Sequence, residues 1–165
     1  MSEPAIATTS GSFAAVPESA VSEYRAALRG AVLSAADPGY DDARKIWNGM
    51  TKRRPALIAQ CRGTADVMTS IKFAKANGLL VAVKGGGHSI AGHSVCEGGL
   101  MIDLSRMNNV LVDRGRRVAR AAGGAKWLDF DYETQGVRTG NHRRDELRHG
   151  HRRPDTWRRN RLARW

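Results

Sequence analysis

Between residues 56 and 89 the chain spells out a strand, a helix and a second strand, and then three glycines in a row. Residues 56–61, opened by Pro55, form an apolar run of buried-strand length. Thr64 is placed to cap a helix over 64–76, with Val67, Ile71 and Ala74 on one face and Asn77-Gly78 as its stop. Residues 79–83 are a second buried strand. A succession of this kind in about thirty residues is a βαβ unit, with two parallel strands and a right-handed crossover. Such units gather ligands at the carboxyl ends of their strands. The stretch Lys84-Gly85-Gly86-Gly87-His88-Ser89 falls at that place.

Around this unit the pattern predicts a helix over 18–36, from the spacing of Val21, Tyr24, Leu28, Val32 and Leu33, ended by Asp37-Pro38-Gly39. Residues 40–48 are mixed. Strand-like segments follow at 100–104, 110–113 and 118–122, then Gly123-Gly124 and a helix from Ala125. The expected class is α+β with a small mixed sheet, and the 165 residues suffice for one hydrophobic core. Residues 1–17 are Ala/Ser/Thr-rich and read as a disordered N-terminus. They show no basic stretch followed by a long apolar run, so no secretory signal is expected and a cytoplasmic location is. The longest apolar runs are strand-sized, which predicts no membrane span. Cys61 and Cys96 are too few for a disulfide scaffold and lack zinc-site spacing, so both are expected to be buried or incidental thiols.

The net charge of +11 would ordinarily point to nucleic acid or an anionic surface. Its distribution argues otherwise. Residues 136–165 hold ten Arg, no Lys and three acids, which leaves only +4 for residues 1–135. This segment has almost no aliphatic residues and no hydrophobic period, so it is expected to be disordered and not to pack on the domain. A basic arm folding on RNA or DNA, with Trp157 and Trp165 to stack on bases, is one account of it. His142, His149 and His151 lack the acid or cysteine spacing of a metal site, and no metal is expected. A reading-frame shift is the other account. Glycine codons of a GC-rich gene become arginine codons when read out of frame, and a back-translation shifted by one base is compatible with an apolar, glycine-rich string ending L-T-L-G-G-G-I-G-W-L. The segment is therefore expected to be out of frame from Gln135 or just after it, and the folded part to be residues 18–135.

Three consecutive glycines after a strand place backbone amides where no Cβ obstructs a ligand, and successive N–H groups in such a turn can converge on one anion. A pyrophosphate suits that nest, with Lys84 adding charge and Ser89 a hydroxyl donor. A tight turn that merely needs glycine is the competing reading. No G-x-x-x-x-G-K-[ST] occurs. Ile90 stands where a G-x-G-x-x-G loop would need its third glycine, which argues against an ATPase or an ordinary NAD dehydrogenase. His88 reads as a turn or hydrogen-bonding residue, or as a nucleophilic imidazole.

Taken in order, R-K-I-W-N-G-M, R-P-A-L-I-A-Q-C, V-A-V-K-G-G-G-H-S-I-A-G-H-S-V-C-E-G-G-L-M-I-D-L-S-R-M and A-A-G-G-A-K-W-L-D-F-D resemble the FAD-linked oxidases with a vanillyl-alcohol-oxidase or PCMH-type FAD-binding domain. The bacterial berberine-bridge-like oxidoreductases are the nearest branch, and the resemblance runs over residues 40–135. It implies an incomplete PCMH-type FAD-binding domain in which Gly85, Gly86, Gly87, Ser89 and Ile90 line the FAD pyrophosphate, with Gly92 and His93 close behind. His88 matches the histidine that this family joins covalently to the flavin 8α-methyl carbon. Lys84 stands where the family often has Arg, and serves as a charge near phosphate. The implied parent reaction is oxidation of a small-molecule alcohol or amine with FAD and O₂. The family's substrate domain and catalytic base lie downstream, so no catalytic residue is expected in this chain, and the chain alone is expected to be inactive. A small nucleic-acid-binding protein with a basic Arg/Trp arm is the alternative.

Overall fold

The computed structural model describes residues 5–136 and the backbone of residues 162–164. It divides into two units, Met1–Met107 and Asn108–Trp165.

The first unit begins with a correction. Strands β1 (Ala5–Ala7) and β2 (Phe13–Ala15) form an antiparallel hairpin, where composition predicts a disordered end. Ile6 and Val16 are fully buried in the main core, and Ala7 exchanges backbone bonds with Gly98 and Leu80, at 2.8 Å each. Two well-placed apolar side chains and long-range backbone pairing thus outweigh an Ala/Ser/Thr-rich composition.

Helix α1 (Glu18–Ala27) starts after Pro17 as predicted but stops nine residues early. Leu28 is already extended, and Val32–Leu33 is strand β3, paired antiparallel with Ala59 and Ile58. The periodicity of Val21, Tyr24 and Leu28 is genuine, since all three are buried. Val32 shares their core from a strand, which a helical spacing alone cannot reveal.

Helix α2 (Tyr40–Ala43) follows, then β4 (Leu57–Gln60), α3 (Thr64–Ala76), β5 (Val81–Lys84) and β6 (Leu100–Asp103). The sheet order is β3-β4-β6-β5, with β4 and β5 both parallel to β6. The predicted βαβ unit is therefore present, but its two strands are not neighbours. β6, arriving from beyond the glycine loop, fills the gap between them. All four of its residues are buried, because alternate side chains meet opposite faces of the sheet. Leu100 and Ile102 join Leu57, Ala59, Val21 and Tyr24 on one side. Met101 joins Ile58, Tyr40 and Val95 on the other.

Two details of α3 differ from expectation. Gly63 occupies the cap and Thr64 is the first helical residue, without a side-chain cap bond. Ile71 is 53% exposed, whereas Ser70 is fully buried. A polar chain causes this: the Tyr24 hydroxyl donates to Ser70 Oγ at 2.7 Å, and the Ser70 hydroxyl donates to the Asp66 carbonyl at 2.8 Å. Satisfied hydrogen bonds let a serine take the inward position. Cys61 and Cys96 are free and buried, and burial pushes both thiols above their ordinary range.

In the second unit β7 (Val110–Asp113) and β8 (Val118–Ala121) pair antiparallel, and α4 (Trp127–Gln135) begins two residues after the predicted Ala125. The Lys126 N–H donates to Asp129 Oδ2 at 2.8 Å and closes its first turn. The backbone of β9 (Leu162–Arg164) pairs with β8, at positions where the sequence predicts no regular element. The remainder of the basic segment lies outside the described residues. Among the described residues no helix is long and apolar enough to cross a membrane, and no cluster of His, Cys, Asp and Glu could hold a metal ion.

Candidate functional site

The carboxyl ends of β5 and β6 lie side by side, with Lys84 in register with Asp103. Lys84 Nζ donates to the Ala43 carbonyl at 2.5 Å and stands 3.7 Å from Asp103 Oδ2. Their side chains are 12% and 2% exposed. The Lys84 ammonium, expected as a charge near phosphate, is engaged here by Asp103 and the Ala43 carbonyl. Asp103 Oδ1 accepts the Ser105 N–H at 2.9 Å, and the Lys84 carbonyl accepts the Leu104 N–H at 2.7 Å. A buried ion pair with its remaining groups hydrogen-bonded in this way fixes the platform from which the loop departs.

The glycines then cross that platform. Gly87 is buried with φ +73°, and a Cβ there would lie 3.7 Å from both Ile46 Cα and Lys84 Cε. Gly92 repeats the left-handed conformation, and its Cβ would sit 2.8 Å from Thr51 Oγ1. Only glycine suits both positions without strain.

Residues 46–53 run alongside and hold the loop from the outside. The Trp47 N–H donates to the Gly87 carbonyl at 2.9 Å, and Asn48 Nδ2 donates to the Ile90 carbonyl at 2.7 Å. Arg53 Nη1 donates to the carbonyls of Gly92 and Val95 at 3.0 and 3.2 Å. Inside the loop, Ser89 Oγ accepts the His93 N–H at 3.1 Å, and the Ser89 carbonyl accepts the Gly92 N–H at 3.1 Å. The carbonyls of Gly87, Ser89, Ile90, Gly92 and Val95 are therefore occupied. Among the described residues, none accepts a hydrogen bond from the backbone N–H of Gly86, Gly87, His88, Ser89 or Ile90. Only Gly87 among these five is buried, and successive open backbone donors of this kind suit an anionic ligand. His88, Ile90 and His93 are exposed.

Residues 55–142 match the family model described as FAD binding domain. The chain belongs to this FAD-binding domain family. It is 38% identical over 97 residues to (R)-6-hydroxynicotine oxidase of Paenarthrobacter nicotinovorans, covering 59% of this chain and 21% of that protein. It is 39% identical over 98 residues to the FAD-linked oxidoreductase hasG of Aspergillus fumigatus, with the same two coverages. Among solved structures, 6-hydroxy-D-nicotine oxidase from Arthrobacter nicotinovorans superposes with a TM-score of 0.65 at 35% identity, over 67% of this chain and 24% of that one. A berberine-bridge-like protein of Physcomitrella patens shares the fold, at a TM-score of 0.57 and 20% identity over 61% of this chain and 22% of its own. The chain spans about a fifth to a quarter of the length of these relatives.

FAD is the cofactor of this family, and the donor set fits it: a row of amides without acceptors, glycines at both left-handed turns, and no carboxylate among residues 85–95 to repel a pyrophosphate. The flavin-binding fold also accounts for residues to which spacing gives no role. Trp47, Asn48, Thr51 and Arg53 lie some forty residues before the loop they hold. Their only signal is the W-N-G-M string itself, which carries the resemblance but says nothing about where it folds.

Proposed function

We propose that this chain is the pyrophosphate-holding part of an FAD-linked oxidase of a small-molecule alcohol or amine, located in the cytoplasm. The row of unmatched loop amides at the end of β5 carries the reading. The N–H groups of Gly86, Gly87, His88, Ser89 and Ile90, with the Ser89 hydroxyl, bind the pyrophosphate, while Gly85, Gly92 and His93 shape the loop. Lys84 acts on the site by holding the strand ends through Asp103 and the Ala43 carbonyl. When bound, FAD supplies a two-electron acceptor that O₂ restores, so the hard chemistry belongs to the cofactor. The oxidase of (R)-6-hydroxynicotine among the relatives supports the oxidase class. His88, exposed on the loop, would hold the flavin covalently: its imidazole nitrogen would replace one hydrogen of the 8α-methyl group, the N–H and C–H protons leaving and the two electrons passing into the flavin ring, which O₂ would then reoxidise.

No residue of residues 5–136 is assigned as catalytic base, and this chain alone is inactive. Residues after Gln135 are an out-of-frame reading; the family match ends close beyond that point, at residue 142. Sequencing the gene tests this, since an open downstream frame continuing the glycine-rich string is required. The flavin assignment is tested in the frame-restored protein by mass spectrometry of tryptic peptides. The expected flavin adduct lies on the peptide containing His88 and disappears in His88→Ala, which still binds some FAD. An adduct persisting in His88→Ala refutes the assignment.

A further inference from the structure

Trp47 is 69% exposed, yet its backbone is fixed by the bond from its N–H to the carbonyl of Gly87, the residue before His88. Met50 is 85% exposed and Ile90 is 67% exposed, and Ile90 is tied to the same segment through Asn48. An exposed indole on a backbone bonded directly to the glycine loop is placed to meet an apolar part of whatever the loop binds. A row of open amides, with an exposed aromatic side chain on the segment bonded to it, offers two chemistries at once. A flavin nucleotide presents the same two, a pyrophosphate and a planar apolar ring. The adenine is also planar, but His88 directs the choice, because Trp47 is bound to the residue next to the one proposed to meet the flavin ring.

We infer that Trp47 is a flavin-binding residue whose indole stacks on the isoalloxazine ring, with Met50 and Ile90 completing the apolar side of that subsite. This rests on the FAD reading of the loop, and it assigns the ring contact to a residue outside the glycine motif. The backbone bond to Gly87 does not depend on the side chain, so replacing the indole leaves the loop geometry in place.

The test is titration of the 165-residue chain, and of Trp47→Ala and Trp47→Phe, with FAD and with ADP, which keeps the pyrophosphate and adenosine but lacks the flavin ring. Trp47→Ala should weaken FAD about tenfold, as loss of one aromatic stacking contact does, and leave ADP unchanged. Trp47→Phe should recover most of the loss. Bound FAD should be more fluorescent in Trp47→Ala than in the parent chain, because a stacked indole quenches flavin emission. Equal weakening of FAD and ADP would show that Trp47 only shapes the loop, and overturns the inference. Unchanged FAD binding in Trp47→Ala overturns it as well. Failure of the parent chain to bind either nucleotide would instead bring down the pyrophosphate reading, and this inference with it.

Discussion

The two units differ in how complete a core they build. In Met1–Met107 the central strands β4 and β6 are covered on both faces, with Leu100, Met101 and Ile102 within 1% of complete burial, while Val81 and Val83 of β5 remain 38% and 53% exposed. In Asn108–Trp165 the helix α4 buries none of its residues, and Trp127, Leu128 and Tyr132 are all more than half exposed. Among its described residues, Ala119 and Val110 are the buried apolar ones. A central strand with neighbours on both sides and layers on both faces carries its own core. Among the described residues, the β7-β8-β9 sheet and its one helix supply fewer layers to do so.

The largest expected effect is in β6. Ile102→Ala should cost about 2–5 kcal/mol, because neighbours packed around a central strand cannot collapse into the space left behind. Urea unfolding of the variant checks this, and a loss below about 1 kcal/mol would break the contrast between the units.

Asp66→Asn should cost less, about 2 kcal/mol at neutral pH, through the loss of charge-assisted bonds to buried donors. Asp66 is 1% exposed, and its carboxylate accepts the N–H groups of Arg62 and Arg29 at 2.8 and 3.2 Å, with Arg29 Nε at 3.7 Å. Burial alone would raise its pKa, but these donors and the guanidinium hold it below the ordinary 3.8. The depressed value means that the stabilisation is complete above the unfolded-state value and is lost as pH falls through the lower folded-state value. Unfolding midpoints of the parent and variant should therefore differ most at neutral pH and approach one another as pH falls below the ordinary 3.8. A constant difference across that range would show that charge is not what Asp66 contributes.

Leu128→Ser should be the smallest change, within about 0.5 kcal/mol, because a side chain 79% exposed has little burial to lose. Amide exchange sharpens the same point: α4 should exchange faster than β6. Equal protection of the two would show that α4 is held by something other than its own packing.

Much of the first unit is legible in the sequence. The helix at 64–76 and its Asn77-Gly78 stop stand where the local signals put them, as does the strand at 110–113 in the second unit. The glycine loop is legible for the same reason, since Gly87 and Gly92 adopt backbone conformations that other residues resist. The burial of Ser70 in place of Ile71 is not legible, because it depends on a hydroxyl reached across from Tyr24. The early end of α1 is hidden in the same way, by the pairing of β3 with β4.

The sequence by itself determined the βαβ unit, the place of the ligand loop and the family to which these motifs belong, because turn conformation and side-chain period are local properties. Only the tertiary structure decided that β6 separates β4 from β5, that Lys84 faces Asp103 beneath the loop, and that Trp47 and Arg53 hold it from outside. Each of these joins segments more than fifteen residues apart. Their partners are selected by which backbone groups and side chains remain to be satisfied once the chain has closed on itself.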